Sequence, residues 1–418
     1  MRTILLAAFT LVVNMTAFTQ KSCVSVDYQR IQYQKDTSLL KKLDQQEVFI
    51  KNHIHSQEIR SSVIGSTSGV LSVIRIPVVV HILYNKPEEN ISDAQIMSQI
   101  IALNKEFRKA GDLAHVPSAF RSLAADTYIE FSLAKVNPQG LATTGITRKQ
   151  SNIRLFGLDD RIKFSKIGGE DAWDADRYLN IWVGNIAGAI IGYSSLAGSD
   201  KNKDGVVIRY DAFGTTGKVS SGYNKGRTAV HEIGHWLGLY HIWGDQYCGD
   251  DKVDDTPPQQ APSRGCPSGT VSSMCSADPA GKMYMNFMDL TDDACLSMFT
   301  YGQRDRMRAM FAPGGSRHAL LLSDALTATP RESSPADEEK TIGKFSLYPN
   351  PAISNVTLEM NETDLGKQVI FYSPGGRIVS HIRITKRSMV INVSSYATGV
   401  YFVKIGDEKK MLKFIKGN

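Results

Sequence analysis

The stretch from His231 to His241 constrains this chain of 418 residues more than any other part of it. It reads HEIGHWLGLYH, with His231 and His235 four residues apart. Residues at this spacing lie on one face of an α-helix, so both imidazoles can bind the same metal ion. Gly238 can adopt the left-handed backbone that ends a helix, after which the chain can bring in His241 as a third ligand.

Three protein ligands leave a fourth position open for water, which is typical of a catalytic zinc ion. Glu232 follows the first ligand directly and is placed to act as a general base toward that water. A structural zinc site usually contains cysteine ligands, and the motif has none. A helix that merely contains buried histidines does not explain the full pattern HExxHxxGxxH. That pattern fixes five positions, which are His231, Glu232, His235, Gly238 and His241. The motif therefore predicts zinc-dependent peptide hydrolysis.

Length and composition indicate a folded protein of two or three compact units, with 42% hydrophobic and 22% charged residues. The formal net charge is +6, and residues 344–418 alone hold 11 Lys+Arg against 5 Asp+Glu, an excess of 6. A nucleic-acid enzyme is expected to carry its basic surface around its site. This uneven charge argues against nucleic acid as a partner.

The N-terminus has the pattern of a signal peptide over residues 1–19, with Arg2 followed by a short apolar run at 4–13. The run is shorter than the roughly 20 residues that span a bilayer, and no later segment is long and apolar enough either, so no transmembrane segment is expected. Export also suits the cysteines. Four of the five are clustered and can form two disulfides in three possible pairings: Cys248, Cys266, Cys275 and Cys295.

The polar residues 20–59 resemble a pro-segment, and the region 60–326 is predicted to be the catalytic domain. Its expected elements are strands at 75–84, 128–134, 178–183, 189–194 and 206–210, and helices at 93–109 and 301–311. Strands that alternate with long helices predict an α/β domain, with loops held by disulfides after the zinc motif. Residues 327–343 form a linker, and 344–418 have the spacing of a small all-β sandwich.

With the zinc motif, the cysteine cluster and Met288 considered together, residues 20–325 resemble the pappalysin family of metzincin zinc metallopeptidases. The resemblance implies an α/β (α+β) fold with a twisted mixed sheet, zinc bound by His231, His235 and His241, and Glu232 as general base. Met288 matches the Met-turn, an apolar floor beneath the metal, although a lone methionine in a loop more often only fills a core.

The same resemblance implies the disulfides Cys248–Cys275 and Cys266–Cys295. It also gives a role to Cys23, whose thiolate is a strong zinc ligand and would occupy the open fourth position in a latent zymogen. The alternative for Cys23 is a free or intermolecular thiol.

Asp293 matches the family position at the base of the S1′ pocket, where a carboxylate favours Arg or Lys at P1′. The alternative is an ordinary solvated acid beside Asp292. One departure concerns the position two residues after Met288, where the family usually has a tyrosine that stabilises the tetrahedral intermediate. This chain has Leu290 there, and the loss of one such donor typically costs about 100-fold in rate.

Residues 250–256 are rich in the hard oxygen ligands that suit calcium, and Asp251 and Thr256 match ligand positions of the family. A solvated acidic loop is the alternative, because the spacing is not that of an EF-hand.

The tail resembles a second family, the C-terminal sorting domains of the type IX secretion system. The resemblance depends on Leu347-Tyr348-Pro349-Asn350-Pro351, Gly399-Val400-Tyr401 and the final Lys413-Phe414-Ile415-Lys416. It implies the type IX machinery as a partner and export through the periplasm to the cell surface or the medium. A carbohydrate-binding sandwich is the competing interpretation.

These observations predict a secreted zinc metalloendopeptidase that acts on proteins or peptides, needs Zn²⁺ and also binds Ca²⁺. One alternative is a weak or inactive zinc-retaining binding protein, which Leu290 would suit and the intact Glu232 opposes. The other is a different metzincin branch, such as an astacin or matrixin, which the four-cysteine insert and Asp293 oppose.

Overall fold

The structure is a computed structural model that describes residues 22–64, 71–195, 198–331, 346–360, 364–373, 376–406 and 411–417. The chain divides into two compact units, Met1–Pro330 and Arg331–Asn418. The predicted signal peptide and most of the predicted linker lie outside the described residues. Among those residues, no helix is both long enough and apolar enough to cross a membrane.

The first unit begins with a strand and two helices: β1 (Ser22–Cys23), α1 (Ser25–Lys35) and α2 (Ser38–Ile64). Sequence patterns gave no indication of these helices, because α1 buries only Ser25, Tyr28 and Gln32 and so has no apolar stripe. The predicted boundary between pro-segment and catalytic domain, at residues 59 and 60, falls inside α2. That boundary stays a prediction.

A sheet of seven strands forms the centre of the first unit, in the order β1-β6-β7-β5-β2-β3, with β4 also paired to β2. Only the β6–β7 pairing is antiparallel among these; the others are parallel. The strands are β2 (Ile74–Tyr84), β3 (Ile129–Leu133), β4 (Ile146–Gln150), β5 (Leu179–Gly184), β6 (Ile190–Ser194) and β7 (Val206–Arg209). Strands β2 and β5 are almost completely buried, as their largely apolar sequences predict.

Helices complete the predicted α/β architecture, and α3 (Asp93–Phe107) and α5 (Arg227–Trp236) pack against the sheet. The other two are the short α4 (Ser118–Arg121) and α6 (Tyr301–Ala309). The Ser92 side chain caps α3 by accepting a hydrogen bond from the Gln95 amide. All ten residues of α5 are buried, and the helix packs on β6 and β7. The zinc motif therefore lies between the sheet and the loops that follow it.

The second unit is a small β-sandwich, as predicted. One sheet has the order β11-β10-β13-β14 and the other β12-β9-β8. Val356 and Leu358 of the second sheet share a core with Phe371 and Val403 of the first. The strands are β8 (Ser346–Tyr348), β9 (Asn355–Glu359), β10 (Gln368–Tyr372), β11 (Ile378–Arg383), β12 (Ser388–Asn392), β13 (Gly399–Ile405) and β14 (Leu412–Lys416).

Candidate active site

The three motif histidines converge on one point. Their Nε2 atoms are 3.1 Å apart for His235 and His231, 3.1 Å for His235 and His241, and 3.2 Å for His231 and His241. Helix α5 supplies the first two rings from one face. Gly238 then adopts a left-handed backbone (φ +86°), as predicted, and the chain turns so that His241 reaches the same point.

Each histidine is oriented through its other ring nitrogen. Nδ1 of His231 bonds the Phe287 carbonyl at 2.7 Å, and Nδ1 of His235 bonds the Leu239 carbonyl at 2.9 Å. Nδ1 of His241 bonds the carboxylate of Asp245. These acceptors fix the tautomer with the proton on Nδ1, so every Nε2 presents a lone pair.

The donor set fits zinc. Burial lowers the pKa of His231 and of His241 to about 3, and that of His235 well below its usual value, so the rings are neutral. Three lone pairs about 3 Å apart repel one another unless a cation lies between them. Tetrahedral Zn–N bonds of about 2.0–2.1 Å place nitrogens roughly 3.3 Å apart, close to the separations observed.

Glu232 lies beside this cluster and is fully buried. Its Oε2 accepts a hydrogen bond of 2.7 Å from the Ser25 hydroxyl, while Oε1 has no partner among the described residues. Burial raises the pKa of Glu232 to about 7, against the opposing hydrogen bonds of Ser25 and Cys23. Gly192 of β6 makes room for the carboxylate, since a Cβ there would lie 3.0 Å from Oε1.

Cys23 is the fourth member of the cluster. Its ligand atom and those of the three histidines all lie within 4.8 Å of one another, and Sγ is 3.7 Å from Nε2 of His235. Strand β1 holds Cys23 there by pairing with β6, where Cys23 is opposite Gly192. The Ser25 hydroxyl also accepts from the Ser194 amide at 2.9 Å. The leading segment, defined here as residues 22–64 with β1, α1 and α2, therefore covers the cluster and the edge of β6 together.

Met288 lies directly beneath α5. It is fully buried, and a Cβ at Gly234 would lie 2.5 Å from its Sδ. Glycine at position 234 is what allows this approach. The Met288 amide bonds the Asn286 side chain, and its carbonyl accepts from the Ile242 amide just after the third histidine.

A cavity beside the cluster is lined by His231, Glu232, Asp293, Leu290 and Tyr223, among others. Asp293 is 2% exposed, and its Oδ2 accepts from the amides of Lys225 and Arg227 at 2.8 and 3.2 Å. Burial raises the pKa of Asp293 to about 6. The carboxylate is thus part of the cavity wall and not a solvated loop acid.

The tyrosines nearest to Leu290 in the sequence are Tyr284 and Tyr301. Tyr284 is buried and donates to the Gly269 carbonyl, and Tyr301 is exposed at the start of α6. Neither lines the cavity, whereas Tyr223 does.

Two disulfides, Cys248–Cys275 and Cys266–Cys295, connect the loops after the zinc motif, in the pairing that the resemblance implies. In the same loops Thr256 donates to the carboxylate of Asp251 at 2.8 Å, so the two suggested calcium ligands are in contact. Burial raises the pKa of Asp251 to about 7.

Sequence reasoning missed Asp245, Ser25 and Tyr223. Asp245 had a readable signal, because metal-binding histidines commonly donate from their other ring nitrogen to a carboxylate and Asp245 follows His241 closely in the sequence. Ser25 had none, since nothing in a polar segment shows which hydroxyl will reach a residue more than two hundred positions away.

Comparison with known proteins agrees with this geometry. Residues 163–312 match the M43 peptidase family described as pregnancy-associated plasma protein-A, and residues 346–416 match the secretion system C-terminal sorting domain. An extracellular metalloprotease of Pyricularia oryzae is 31% identical over 258 residues, covering 59% of this chain and 78% of the relative. The chain belongs to the pappalysin family of metallopeptidases.

Solved structures add to this. Mature mirolysin of Tannerella forsythia with a cleaved peptide is 47% identical, with a TM-score of 0.59, covering 60% of this chain and 97% of that one. A promirolysin mutant from the same organism is 42% identical, with a TM-score of 0.65, covering 72% and 97%. These matches confirm the predicted fold class and the metalloendopeptidase activity, and they disfavour the inactive binding protein. Together with the sorting domain they confirm a secreted or cell-surface location.

Proposed function

We propose that His231, His235 and His241 hold the catalytic zinc of this secreted metalloendopeptidase and that Glu232 is its general base. The observation that carries the proposal is the convergence of three neutral Nε2 atoms at 3.1–3.2 Å beside a buried carboxylate. A zinc ion bound there supplies positive charge that polarises a peptide carbonyl and lowers the pKa of water.

The protein's own groups then move the proton. A carboxylate oxygen of Glu232 accepts a proton from the attacking water and afterwards delivers it to the amine nitrogen of the leaving product. Burial raises the pKa of this carboxyl above the usual range of glutamate, which favours its taking up and releasing a proton. Met288 packs under the helix that carries two of the ligands and keeps their spacing fixed.

The substrate is proposed to run along the edge of β6 and to place its P1′ side chain in the cavity beside Glu232. The buried Asp293 in that cavity favours Arg or Lys at P1′, because a partly desolvated carboxylate binds a cation strongly. Leu290 lines the same cavity without a hydroxyl, which supports a slower reaction than a tyrosine there would give.

The chain is proposed to be made as a latent zymogen. Strand β1 occupies the edge of β6, Cys23 Sγ lies among the histidines, and Ser25 bonds Glu232. Burial and the neighbouring Glu232 raise the pKa of the free thiol, and a cation at this cluster would favour its thiolate form. The match to a promirolysin supports a pro-form.

Two further proposals concern the loops and the tail. Calcium is proposed to bind near Asp251 and Thr256, where a buried carboxylate contacts a hydroxyl. The sorting domain at residues 346–416 supports the type IX secretion machinery as the export partner.

The test is a Glu232→Gln variant, compared with Glu88→Gln as a control for the same change at a half-exposed surface carboxylate. We expect Glu232→Gln to lower hydrolysis of a protein substrate by about 10²–10⁴-fold, since general bases contribute that much, while zinc content stays stoichiometric. The control should remain active and lose activity only with a zinc chelator. Equal hydrolysis by both variants would refute the role of Glu232.

A further inference from the structure

A second buried polar cluster lies across strand β6 from the metal site. Gly192 faces Glu232, so the next residue, Tyr193, points to the opposite face of the sheet. There its ring packs against the ring of Tyr28, with centroids 4.7 Å apart. Tyr28 comes from helix α1 of the leading segment and is 2% exposed.

The hydroxyl of Tyr28 meets one acceptor and one donor. It donates to Oδ1 of Asp160 at 2.6 Å and accepts from Nζ of Lys163 at 2.9 Å. A phenol hydroxyl both donates and accepts, so this pair of partners uses it fully. Gln32, one turn further along α1, donates to the other oxygen of Asp160 at 3.2 Å.

Three aromatic rings surround the ammonium group of Lys163 and attract its positive charge. Its Nζ lies 4.6 Å from the ring centroid of Tyr28, 5.5 Å from that of Trp182 and 5.4 Å from that of Tyr193. Lys163 is completely buried, and Asp160 lies 3.4 Å from it and 3.3 Å from Lys203.

Burying the ion pair of Lys163 and Asp160 costs desolvation free energy unless the remaining hydrogen-bonding groups of both side chains are satisfied. Burial lowers the pKa of Lys163 to about 8 even though Asp160 opposes the shift. For Asp160, burial is outweighed by Lys163, Tyr28 and Lys203, so its pKa is lowered. Peptide hydrolysis as proposed above uses neither group, and their contacts point to a ligand with a flat ring and a hydroxyl.

We propose that Asp160, Lys163, Trp182 and Tyr193 form a binding pocket for a phenol side chain, distinct from the metal site and filled here by Tyr28. The pocket anchors the leading segment independently of Cys23. The anchoring role rests on the proposed zymogen; recognition of the phenol does not.

The test is chemical rescue in the full chain, which needs neither zinc nor activity. Tyr28→Ala empties the pocket, and 4-methylphenol and toluene serve as probes of equal shape that differ in the hydroxyl. We expect 4-methylphenol to bind Tyr28→Ala about 10- to 100-fold more tightly than toluene, the range for hydrogen bonds to charged groups. It should also raise the Tm of this variant and leave the wild type unchanged. Equal binding of the two probes, or no binding of either, would overturn the proposal.

A gentler variant keeps the test open if Tyr28→Ala does not fold. Tyr28→Phe removes only the hydroxyl, and Tyr33→Phe is its matched control because Tyr33 lies on the same helix and is half-buried. Hydrogen exchange of the α1 amides should accelerate about 10- to 100-fold in Tyr28→Phe relative to the control. Equal exchange in the two variants refutes the anchor. Measuring with and without zinc separates this result from any failure of the thiol contact or of the catalytic proposal.

Discussion

Asp245 offers the sharpest test of how the protein orients its metal ligands. The Nδ1 atoms of His231 and His235 bond backbone carbonyls, which no substitution removes. His241 instead depends on the Asp245 carboxylate. The His241 ring also stacks on the Trp243 ring, with centroids 4.2 Å apart. This stacking fixes the plane of the imidazole, but it does not fix how the ring is rotated within that plane. Removing the carboxylate should therefore weaken zinc binding without abolishing it.

The backbone at Asp245 decides which substitution is informative. Its φ is +60°, a left-handed conformation that glycine adopts freely and that asparagine tolerates better than most residues. Asp245→Gly removes the carboxylate without strain. Asp245→Asn removes the same charge but keeps an oxygen that can accept the hydrogen bond. The pair thus separates hydrogen bonding from charge.

We expect Asp245→Gly to weaken zinc binding by about 10- to 100-fold, or roughly 1.4–2.8 kcal/mol, the usual cost of losing a partner of a metal-binding histidine. Asp245→Asn should lose less zinc affinity than Asp245→Gly. The dissociation constant is measured by competition with a chromogenic chelator, in a Glu232→Gln background that prevents self-digestion.

Lys252→Gly is the control for loop flexibility, because Lys252 is also left-handed (φ +64°), lies in the same loop region and is exposed. It should bind zinc like the parent. If Asp245→Gly retains the parent's zinc affinity, or if Lys252→Gly loses as much, orientation of His241 by Asp245 is refuted.

Three other predictions concern specificity, rate and latency. The carboxyl of Asp293 has a pKa of about 6, raised by burial, and is charged only above it. The preference for Lys over a neutral residue at P1′ should therefore weaken as the pH is lowered from 8 to 5. Asp293→Asn should abolish both this preference and its pH dependence. Both are measured by profiling cleavage of a peptide library. Leu290→Tyr should raise turnover several-fold up to about 100-fold, and an unchanged kcat counts against the role assigned to that position. Cys23→Ala should shorten the lag before activity in the secreted protein, and latency equal to that of the wild type would contradict the thiol contact.

The sequence was sufficient for elements with strong apolar patterns. The run from Ile74 to Tyr84 is buried along nearly its whole length, and the prediction at 75–84 differs from strand β2 by one residue. Strand β4, Ile146–Gln150, was missed because four of its five residues are polar and their pairing with β2 depends on the partner. This strand therefore forms because of its pairing with β2 and not because of its own sequence pattern.

In the metal site, too, local sequence patterns predict some features and tertiary contacts determine the others. Spacing alone brings His231 and His235 to one face of a helix, since the period of the helix is fixed. It does not reveal that Phe287 supplies the carbonyl for His231, because that contact joins residues 56 positions apart. Contacts across such separations follow from the packing of the loops on α5, which no local pattern encodes.

The leading segment has a consequence for activation. Cys23, Ser25 and Tyr28 fall within six residues and contact the metal cluster, the general base and the phenol pocket. Further along, Glu47 of α2 bonds both Tyr240 and Arg306. A cut near residue 59 breaks the chain but none of these contacts. The severed segment therefore keeps these contacts and remains bound until it dissociates or is degraded, so cleavage and gain of activity should be separate kinetic steps.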